Sequence, residues 1–237
     1  MMDQAQAEQV AAVLASMQAP YKPMGPDVMA TEVTVCIPVF NAIKTLGWTL
    51  HALELCAQSV PMNLIIAENG STDGTQCWIR DMRKPSVTLK HWSQFFRQIM
   101  VVEVPQNEEY PVENKSREFF NIRECFRAMF PKVQTPYLLM VDADVEAPRG
   151  AVRTMLEALK QDPETTMVGI QYDPSVDHVK HGMAMLSTPL ALDLVQRLEM
   201  KPPYTCMCRQ LTRMVRESNK KAVNLSPLSA RHMKLEV

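Results

Sequence analysis

The sequence predicts an α/β fold with a mostly parallel central sheet and helices on both faces. Apolar runs alternate along the chain with segments of about 12 residues that show helical periodicity, which is the arrangement of successive βαβ units. The apolar runs contain few polar residues, so the strands are expected to be buried on both faces. Polar residues follow several of these runs directly, where open α/β sheets bind their ligands.

The first half of the chain supplies three of the predicted strands. The first is "EVTVCIPVFN", and the following "AIKTLGWTLHALELCAQS" places Leu46, Leu50, Leu53 and Ala57 at helical spacing. The second strand is "MNLIIAEN", and the turn "GSTDGT" then opens a helix. The third strand is "QIMVVEVP". It precedes the helix "SREFFNIRECFRAMF", whose apolar stripe comprises Phe119, Ile122, Phe126 and Phe130.

The second half continues the alternation. The fourth strand is "YLLMVDAD", the next helix is "RGAVRTMLEALK", and "TTMVGIQY" and "HGMAMLST" are further strands. Before this region, residues 3–18 are rich in Ala and Gln and favour a helix, whereas the prolines of "APYKPMGPDV" end any helix. We therefore divide the chain into an N-terminal arm and linker, residues 1–31, and a domain, residues 32–237.

Composition excludes few functions but favours a soluble protein. The net charge of -1 gives no support for strong non-specific binding to nucleic acid or to anionic membranes. We find no signal peptide and no apolar run near the roughly 20 residues of a membrane helix, so a cytoplasmic location is expected. The six cysteines lack zinc-finger spacing and are interpreted as reduced core thiols, although Cys206 and Cys208 remain a weak candidate pair for a metal.

Three strands end in polar residues. Asn41 follows the first strand, Glu68 and Asn69 close the second, and Asp142 and Asp144 follow the fourth. In a parallel sheet these ends would meet in one crevice. Two carboxylates one residue apart can reach the same ion, and oxygen ligands suit Mg²⁺ or Mn²⁺. An alternative is that Asp142 or Asp144 only caps the next turn.

The loop "ENGSTDGT" also allows two readings. Its residues favour a turn, and Ser71 or Thr72 is a good N-cap for the following helix. Side-chain acceptors at a strand end can also hold a base or ribose, and the nearby helix N-terminus favours anions, so the loop is suited to a nucleotide. The two roles are compatible.

Three motifs in order, "VTVCIPVFNAIKTLGWTLHAL", "LIIAENGSTDGTQCW" and "TPYLLMVDADVEAP", resemble the N-terminal half of the family 2 glycosyltransferases. "HGMAMLSTPLALDL" is similar to that family's acceptor-side strand and helix. "CRQLTRMVRESNKKAVNLSPLSARH" is similar to its closing helix, strand and histidine. The resemblance covers about Glu32 to His232. It implies the GT-A nucleotide-diphospho-sugar transferase fold.

The resemblance also implies roles for individual residues. Asp142, Asp144 and His232 would hold Mn²⁺ or Mg²⁺, with Asp144 as the direct ligand. Glu68 and Asn69 stand where many relatives carry two aspartates, which leaves the identity of the base open. The residues that would bind the nucleotide sugar are Pro38, Val39, Phe40, Asn41, Glu68, Asn69, Ser71, Lys115, Arg117, Asn121 and Asp142.

The sequence departs from the family at the general base. Many relatives carry an aspartate just before the closing helix, where this chain has Pro203 and Tyr204. Glu199 is the nearest upstream carboxylate and our candidate base, and Asp173 and Asp177 are alternatives.

The resemblance therefore implies an inverting, metal-dependent transfer of a sugar from a nucleotide-diphosphate donor to an acceptor hydroxyl. The acceptor, whether glycan, lipid, protein or modified nucleic acid, is not predicted, and neither is the oligomeric state. Three alternatives remain: a glycosyltransferase acting on modified DNA, a nucleotidyltransferase of the same fold, and a non-catalytic nucleotide-sugar-binding relative.

Overall fold

A computed structural model describes residues 31–82, 95–106, 116–170, 179, 182–198, 207–225 and 231–233. Within these residues the strands are β1 (Val33–Val39), β2 (Met62–Glu68), β3 (Phe96–Glu103), β4 (Tyr137–Val141), β5 (Val145–Glu146), β6 (Thr165–Ile170), β7 (Met183–Ser187), β8 (Lys221–Leu225) and β9 (Arg231–His232). The α-helices are α1 (Leu46–Ala57), α2 (Thr75–Met82), α3 (Ser116–Met129), α4 (Ala151–Gln161), α5 (Thr188–Arg197) and α6 (Met207–Glu217), and a 3₁₀ turn spans Phe130–Lys132.

The central sheet has seven strands in the order β3-β2-β1-β4-β7-β6-β8. β1 is parallel to both β2 and β4, β2 is parallel to β3, and β6 is parallel to β8. β7 is antiparallel to its neighbours β4 and β6. The predicted mostly parallel sheet is confirmed, with β7 as its one reversed strand among the described residues.

Helices cover both faces of this sheet, as predicted. On one face, α1 and α4 bury Leu50, Leu53 and Met155 against β-strand side chains such as Val35 and Ile37. On the other face, α3, α5 and α6 form a second core, to which β1 contributes Cys36. The strands bury apolar side chains on both faces, which explains why their sequences do not alternate between apolar and polar residues.

A separate two-stranded sheet joins β5 to β9. Val145 pairs with His232, and Glu146 pairs with Arg231, in antiparallel register. The pairing brings the C-terminal part of the described chain back to the segment that follows β4. Strands of two residues are too short to show periodicity, so the sequence did not predict them.

The cysteine prediction is confirmed only in part. Of the described cysteines, Cys36, Cys56, Cys125 and Cys208 are buried free thiols, whereas Cys77 is exposed. Burial raises the pKa of Cys56 to about 11, which keeps this thiol protonated near neutral pH. The candidate pair with Cys206 lies partly outside the described residues. None of the helices in the described part of the chain combines the length and apolar character needed to cross a membrane.

Gly169 in β6 provides a test of the sheet's packing. A Cβ atom added there would lie 2.3 Å from Cγ1 of buried Val179, whereas one added at Gly47 in α1 would meet nothing within 4 Å. We expect Gly169→Ala to lower the free energy of unfolding by about 1–3 kcal/mol through overpacking. Gly47→Ala, the matched control, should raise it by about 0.5–1 kcal/mol through helix propensity. Urea denaturation of both variants checks this, and equal effects would contradict the described packing around β6.

Candidate functional site

The carboxyl ends of β2, β1 and β4 lie side by side at one edge of the sheet. The three strands are adjacent and parallel, and they end at Glu68, Val39 and Val141. The backbone N–H of Asn69 donates to the Val39 carbonyl at 2.9 Å, so the pairing of β2 with β1 continues into the polar loop. The predicted convergence of three polar strand ends is confirmed.

Glu68 is a buried carboxylate that organises the loop after β2. Its side chain is 2% exposed. Oε1 accepts the Ser71 N–H at 2.6 Å, and Oε2 accepts the Gly70 N–H at 3.1 Å and the Gln76 side-chain amide at 3.4 Å. Gly70 has φ 68°, a left-handed conformation that glycine adopts without steric cost. Both carboxylate oxygens therefore hold the turn in its conformation.

Asn69 connects the same loop to the segment after β3. It is 2% exposed, and Nδ2 donates to the carbonyls of Val104 at 3.0 Å and Pro105 at 3.4 Å. The Val104 N–H donates in turn to the Glu68 carbonyl at 2.8 Å. Two carbonyl acceptors on one side fix which end of the amide carries nitrogen.

The loops after β1 and β2 are joined by hydrogen bonds between residues far apart in sequence. Asn41 has φ 48°, a left-handed conformation that asparagine tolerates better than most residues. Its backbone N–H donates to Ser71 Oγ at 3.0 Å, and its side-chain Oδ1 accepts the Thr72 N–H at 2.8 Å. The bonds of Asn41 to the loop after β2 therefore hold the loop after β1 in its conformation.

A second set of bonds between these loops involves Asp73 and Thr75, which the sequence analysis did not assign to the site. Asp73 Oδ2 accepts the Ile43 N–H at 3.1 Å, and Oδ1 accepts the N–H of Thr75 at 3.0 Å and its hydroxyl at 2.5 Å. The Thr75 hydroxyl oxygen also accepts the Ala42 N–H at 2.9 Å. The predicted cap at Ser71 or Thr72 is wrong: α2 begins at Thr75, and Asp73 satisfies a donor of its first turn.

The environment of Asp73 lowers the pKa of its carboxyl group. Partial burial alone would raise the pKa, but hydrogen bonds from the Thr75 hydroxyl and from the N–H groups of Thr75 and Ile43 outweigh this effect. A folded-state pKa below the unfolded value means that the ionised group stabilises the fold at neutral pH. This contribution is lost as the pH falls through the lowered pKa, below about 4.

We expect Asp73→Ala to lower the free energy of unfolding at pH 7 by about 1–2 kcal/mol, as for the loss of a helix cap. The difference from wild type should shrink as the pH falls below about 4, because protonated Asp73 already loses its charge-assisted bonds. Chemical denaturation at pH 7 and pH 3 measures both values. A difference that stays constant with pH would show that the charge of Asp73 does not contribute.

Asp142 and Asp144 follow β4 at the same edge of the sheet. Both are partly buried. The Asp142 N–H donates to the Gly182 carbonyl at 3.0 Å, and the Asp142 carbonyl accepts the Val145 N–H at 3.3 Å. The backbone between these carboxylates is thus held as a short turn between β4 and β5. The two residues are presented at the end of a strand, where the sequence predicted them.

The backbone of His232 lies next to this turn. His232 pairs with Val145, and the N–H of Met233 donates to the Asp144 carbonyl at 2.7 Å. The topology thus brings together the backbones of the three residues predicted to hold the metal. Within the described side chains no group of three or more His, Cys, Asp or Glu residues is arranged to bind a metal ion.

The remaining predicted residues have different environments. Val39 is buried, Pro38 and Ser71 are partly buried, and Phe40 exposes 50% of its surface at the end of β1. Asn121 is buried in α3, and Arg117 belongs to the first turns of the same helix. Four candidates lie outside the described residues: Lys115, Asp173, Asp177 and Glu199.

A small cleft between α2 and β3 shares Glu68 with the predicted site. Its other lining residues are Gln76, Ile79, Arg80, Val101 and Glu103, and none of these was predicted to bind the nucleotide. The side-chain amide of Gln76, which lines this cleft, donates to Glu68. The cleft therefore supports the loop after β2 and adds no residue to the predicted nucleotide site.

Comparison with solved structures tests the fold. The chain superposes on the mannosyltransferase PcManGT from Pyrobaculum calidifontis, solved with GDP-Man and Mn²⁺, with a TM-score of 0.61 and 14% identity over 96% of this chain. It superposes on residues 1–349 of TarS from S. aureus, in the complex with UDP, with a TM-score of 0.57 and 12% identity over 84% of this chain. This chain has the GT-A fold.

The GT-A assignment describes the fold and not the substrate. The chain spans 66% of the PcManGT chain and 59% of the TarS chain, so both contain parts that it does not match. No protein-family model matches the sequence, and no curated protein matches it either.

Proposed function

We propose that this chain is a glycosyltransferase that moves a sugar from a nucleotide-diphosphate donor to an acceptor hydroxyl, using a divalent metal and inverting the anomeric centre. The observation that carries the proposal is the position of Asp142 and Asp144 directly after β4 in a GT-A fold. They lie at the same sheet edge as the polar ends of β1 and β2. PcManGT, with the same fold, was solved with GDP-Man and Mn²⁺.

The donor site is proposed to lie over the loops after β1 and β2. Phe40 offers an exposed aromatic ring for a base, and the hydrogen-bonded loops hold Asn41 beside it. Glu68 and Asn69 contribute chiefly by fixing this surface, because the hydrogen bonds of both side chains go to neighbouring loop atoms. The remaining nucleotide residues of the proposal are Pro38, Val39, Ser71, Lys115, Arg117, Asn121 and Asp142.

Asp144, Asp142 and His232 are proposed to hold Mn²⁺ or Mg²⁺. Carboxylate oxygens in a partly buried turn suit these hard cations, and the imidazole of His232 adds a nitrogen ligand acceptable to Mn²⁺. A metal held by these residues would supply positive charge to the departing diphosphate. The proposal is supported by the turn between β4 and β5, which carries Asp142 and Asp144, and by the pairing of β5 with β9, which brings the backbone of His232 beside them.

The general base is proposed to be Glu199, with Asp173 and Asp177 as alternatives. A base removes the proton of the acceptor hydroxyl as that oxygen attacks the anomeric carbon. Replacing each carboxylate in turn by its isosteric amide, with donor affinity measured separately, identifies the base as the residue whose loss slows transfer but not donor binding.

A panel of sugar nucleotides tests the proposed activity. We expect one or a few UDP- or GDP-sugars to be hydrolysed slowly with Mn²⁺ and not with excess EDTA, because water can replace the acceptor. Pyrophosphate release from a nucleoside triphosphate and a sugar phosphate would instead support the nucleotidyltransferase. Tight binding without turnover would support a non-catalytic relative, and transfer only in the presence of modified DNA would identify that acceptor.

A further inference from the structure

The outward side of α1 exposes a large apolar side chain, although this side lies outside both cores. Leu46, Leu50 and Leu53 point into the core, as the apolar period predicts. On the other side Trp48 is 66% exposed, the greatest exposure among the large hydrophobic side chains of the described residues, and Ile43, just before the helix, is 40% exposed. Gly47 leaves open space beside Trp48.

This surface, formed by Ile43, Gly47, Trp48 and the partly buried Leu55, is here called the α1 outer face. The exposed polar side chains of Lys44 and His51 border these apolar groups. Several exposed apolar groups around a tryptophan mark an interaction surface more often than single exposed residues do.

The N-terminal arm has a complementary sequence. In "DQAQAEQVAAVLASMQ", the larger apolar residues Val10, Val13, Leu14 and Met17 recur at the spacing of a single helical stripe. Outside this stripe, the remaining positions are Ala, Gln, Ser, Asp and Glu. A helix of this length is marginal in isolation and gains its stability by packing an apolar face against another surface.

The chain enters the domain on the same face of the sheet as α1. Glu32, just before β1, accepts a hydrogen bond from Lys160 Nζ at 2.8 Å at the end of α4. α4 packs beside α1, and Arg153 of α4 donates to the Ser59 carbonyl just after α1 at 3.1 Å. Val33 pairs with Met62 in the register of β1 and β2, so the chain enters β1 close to the C-terminal end of α1.

The linker is long enough for the arm to reach the whole outer face. Residues 19–30 span up to about 40 Å when extended, whereas the 12 residues of α1 measure about 18 Å along the helix axis. We propose that residues 3–18 pack as an amphipathic helix on the α1 outer face and cover Trp48. This interaction is independent of the proposed catalytic function.

Tryptophan fluorescence of the full chain tests the proposal. The chain has three tryptophans, at positions 48, 78 and 92. In a Trp78→Phe, Trp92→Phe background, Trp48 is the only one left. Val10→Asp with Leu14→Asp places two charges in the apolar stripe, whereas Ala12→Asp with Ala15→Asp places the same charges on the opposite side of the predicted helix.

We expect the stripe variant to increase acrylamide quenching of Trp48 about twofold and to shift its emission to longer wavelength, with no change in the control variant. Equal quenching in all three proteins overturns the proposal. The proposal is also overturned if the quenching of Trp48 depends on protein concentration and the measured mass is that of a dimer, because a second copy would then cover Trp48.

Hydrogen exchange provides a second measurement that needs no tryptophan replacement. In the unmodified full chain, amides within residues 5–18 should exchange at least about tenfold more slowly than in the stripe variant. Exchange at the same fast rate in both proteins contradicts the packing of the arm, whatever the behaviour of the tryptophan variants.

Discussion

We expect the Asp144→Ala variant to lose metal-dependent nucleotide binding and to transfer sugar at least about 10³-fold more slowly than wild type. A bound metal supplies several kcal/mol of stabilisation to the developing charge on the diphosphate, and each 1.36 kcal/mol corresponds to a tenfold change in rate. The fold should persist, because Asp144 is only partly buried and its backbone carbonyl still accepts the Met233 N–H in the variant.

Glu146→Ala is the matched control for Asp144→Ala. Glu146 is an exposed carboxylate two residues further along the same chain segment, and its backbone also belongs to β5. Titration of UDP and GDP with and without Mn²⁺, together with thermal melting, compares the two variants. A folded Asp144→Ala protein that retains wild-type metal-dependent affinity would rule out Asp144 as a metal ligand.

We expect Glu68→Ala to lower the free energy of unfolding by about 3–5 kcal/mol. The substitution removes a buried acceptor from the N–H groups of Gly70 and Ser71 and from the Gln76 amide. Hydrogen bonds to a charged group contribute about 1.5–3 kcal/mol each, so the loss of two of them accounts for the expected effect. Nucleotide affinity should also fall, because Ser71 carries the bond that positions Asn41.

Glu103→Ala is the control for this second prediction. Glu103 is the exposed residue paired with Glu68 in the register of β2 and β3, so the same substitution is made on the neighbouring strand end. We expect a change within about 0.5 kcal/mol, as for most surface substitutions. Denaturant titration measures both variants, and a Glu68→Ala effect no larger than that of Glu103→Ala would contradict the organising role of Glu68.

Glu68→Gln separates the charge of Glu68 from its size. A glutamine side chain has one carbonyl oxygen, so it can accept from only one end of the turn, and its NH₂ group would face the second N–H. We therefore interpret a large loss of stability in this variant as a requirement for both oxygens. Stability close to wild type, with weaker nucleotide binding, would instead indicate that Glu68 contacts the ligand directly.

The carboxylates after β4 were predictable because their signal is local. An apolar run identifies the strand, and Asp142 and Asp144 are adjacent to its end in the sequence. The same reasoning identified Asn41 and Glu68. Parallel packing of neighbouring strands then follows from the alternation of strands and helices, and it brings these ends to one edge.

The bonds between the loops were not predictable, because they join residues about 30 positions apart. Nothing in "GSTDGT" shows that Ser71 accepts from Asn41, or that Asp73 accepts from Ile43 as well as from Thr75. The composition of this segment correctly predicts a turn. The predicted start of α2 was wrong, because the Ser71 hydroxyl accepts a hydrogen bond from the β1 loop instead of capping the helix.

The direction of a strand was a second feature that could not be predicted from the sequence. The run "HGMAMLST" predicts a buried strand, but apolar periodicity is the same for parallel and antiparallel strands. The structure shows that β7 is antiparallel between β4 and β6. Its reversal brings Gly182, just before this strand, next to Asp142, just after β4.

A crystal of the full chain soaked with Mn²⁺ and either UDP or GDP would test the central claim most directly. Anomalous scattering locates the manganese independently of its ligands. We predict one manganese peak within coordination distance of a carboxylate oxygen of Asp144, with the diphosphate at the same turn and the base beside Phe40 and Asn41. A diphosphate and metal bound away from the turn between β4 and β5 would contradict the proposed donor site.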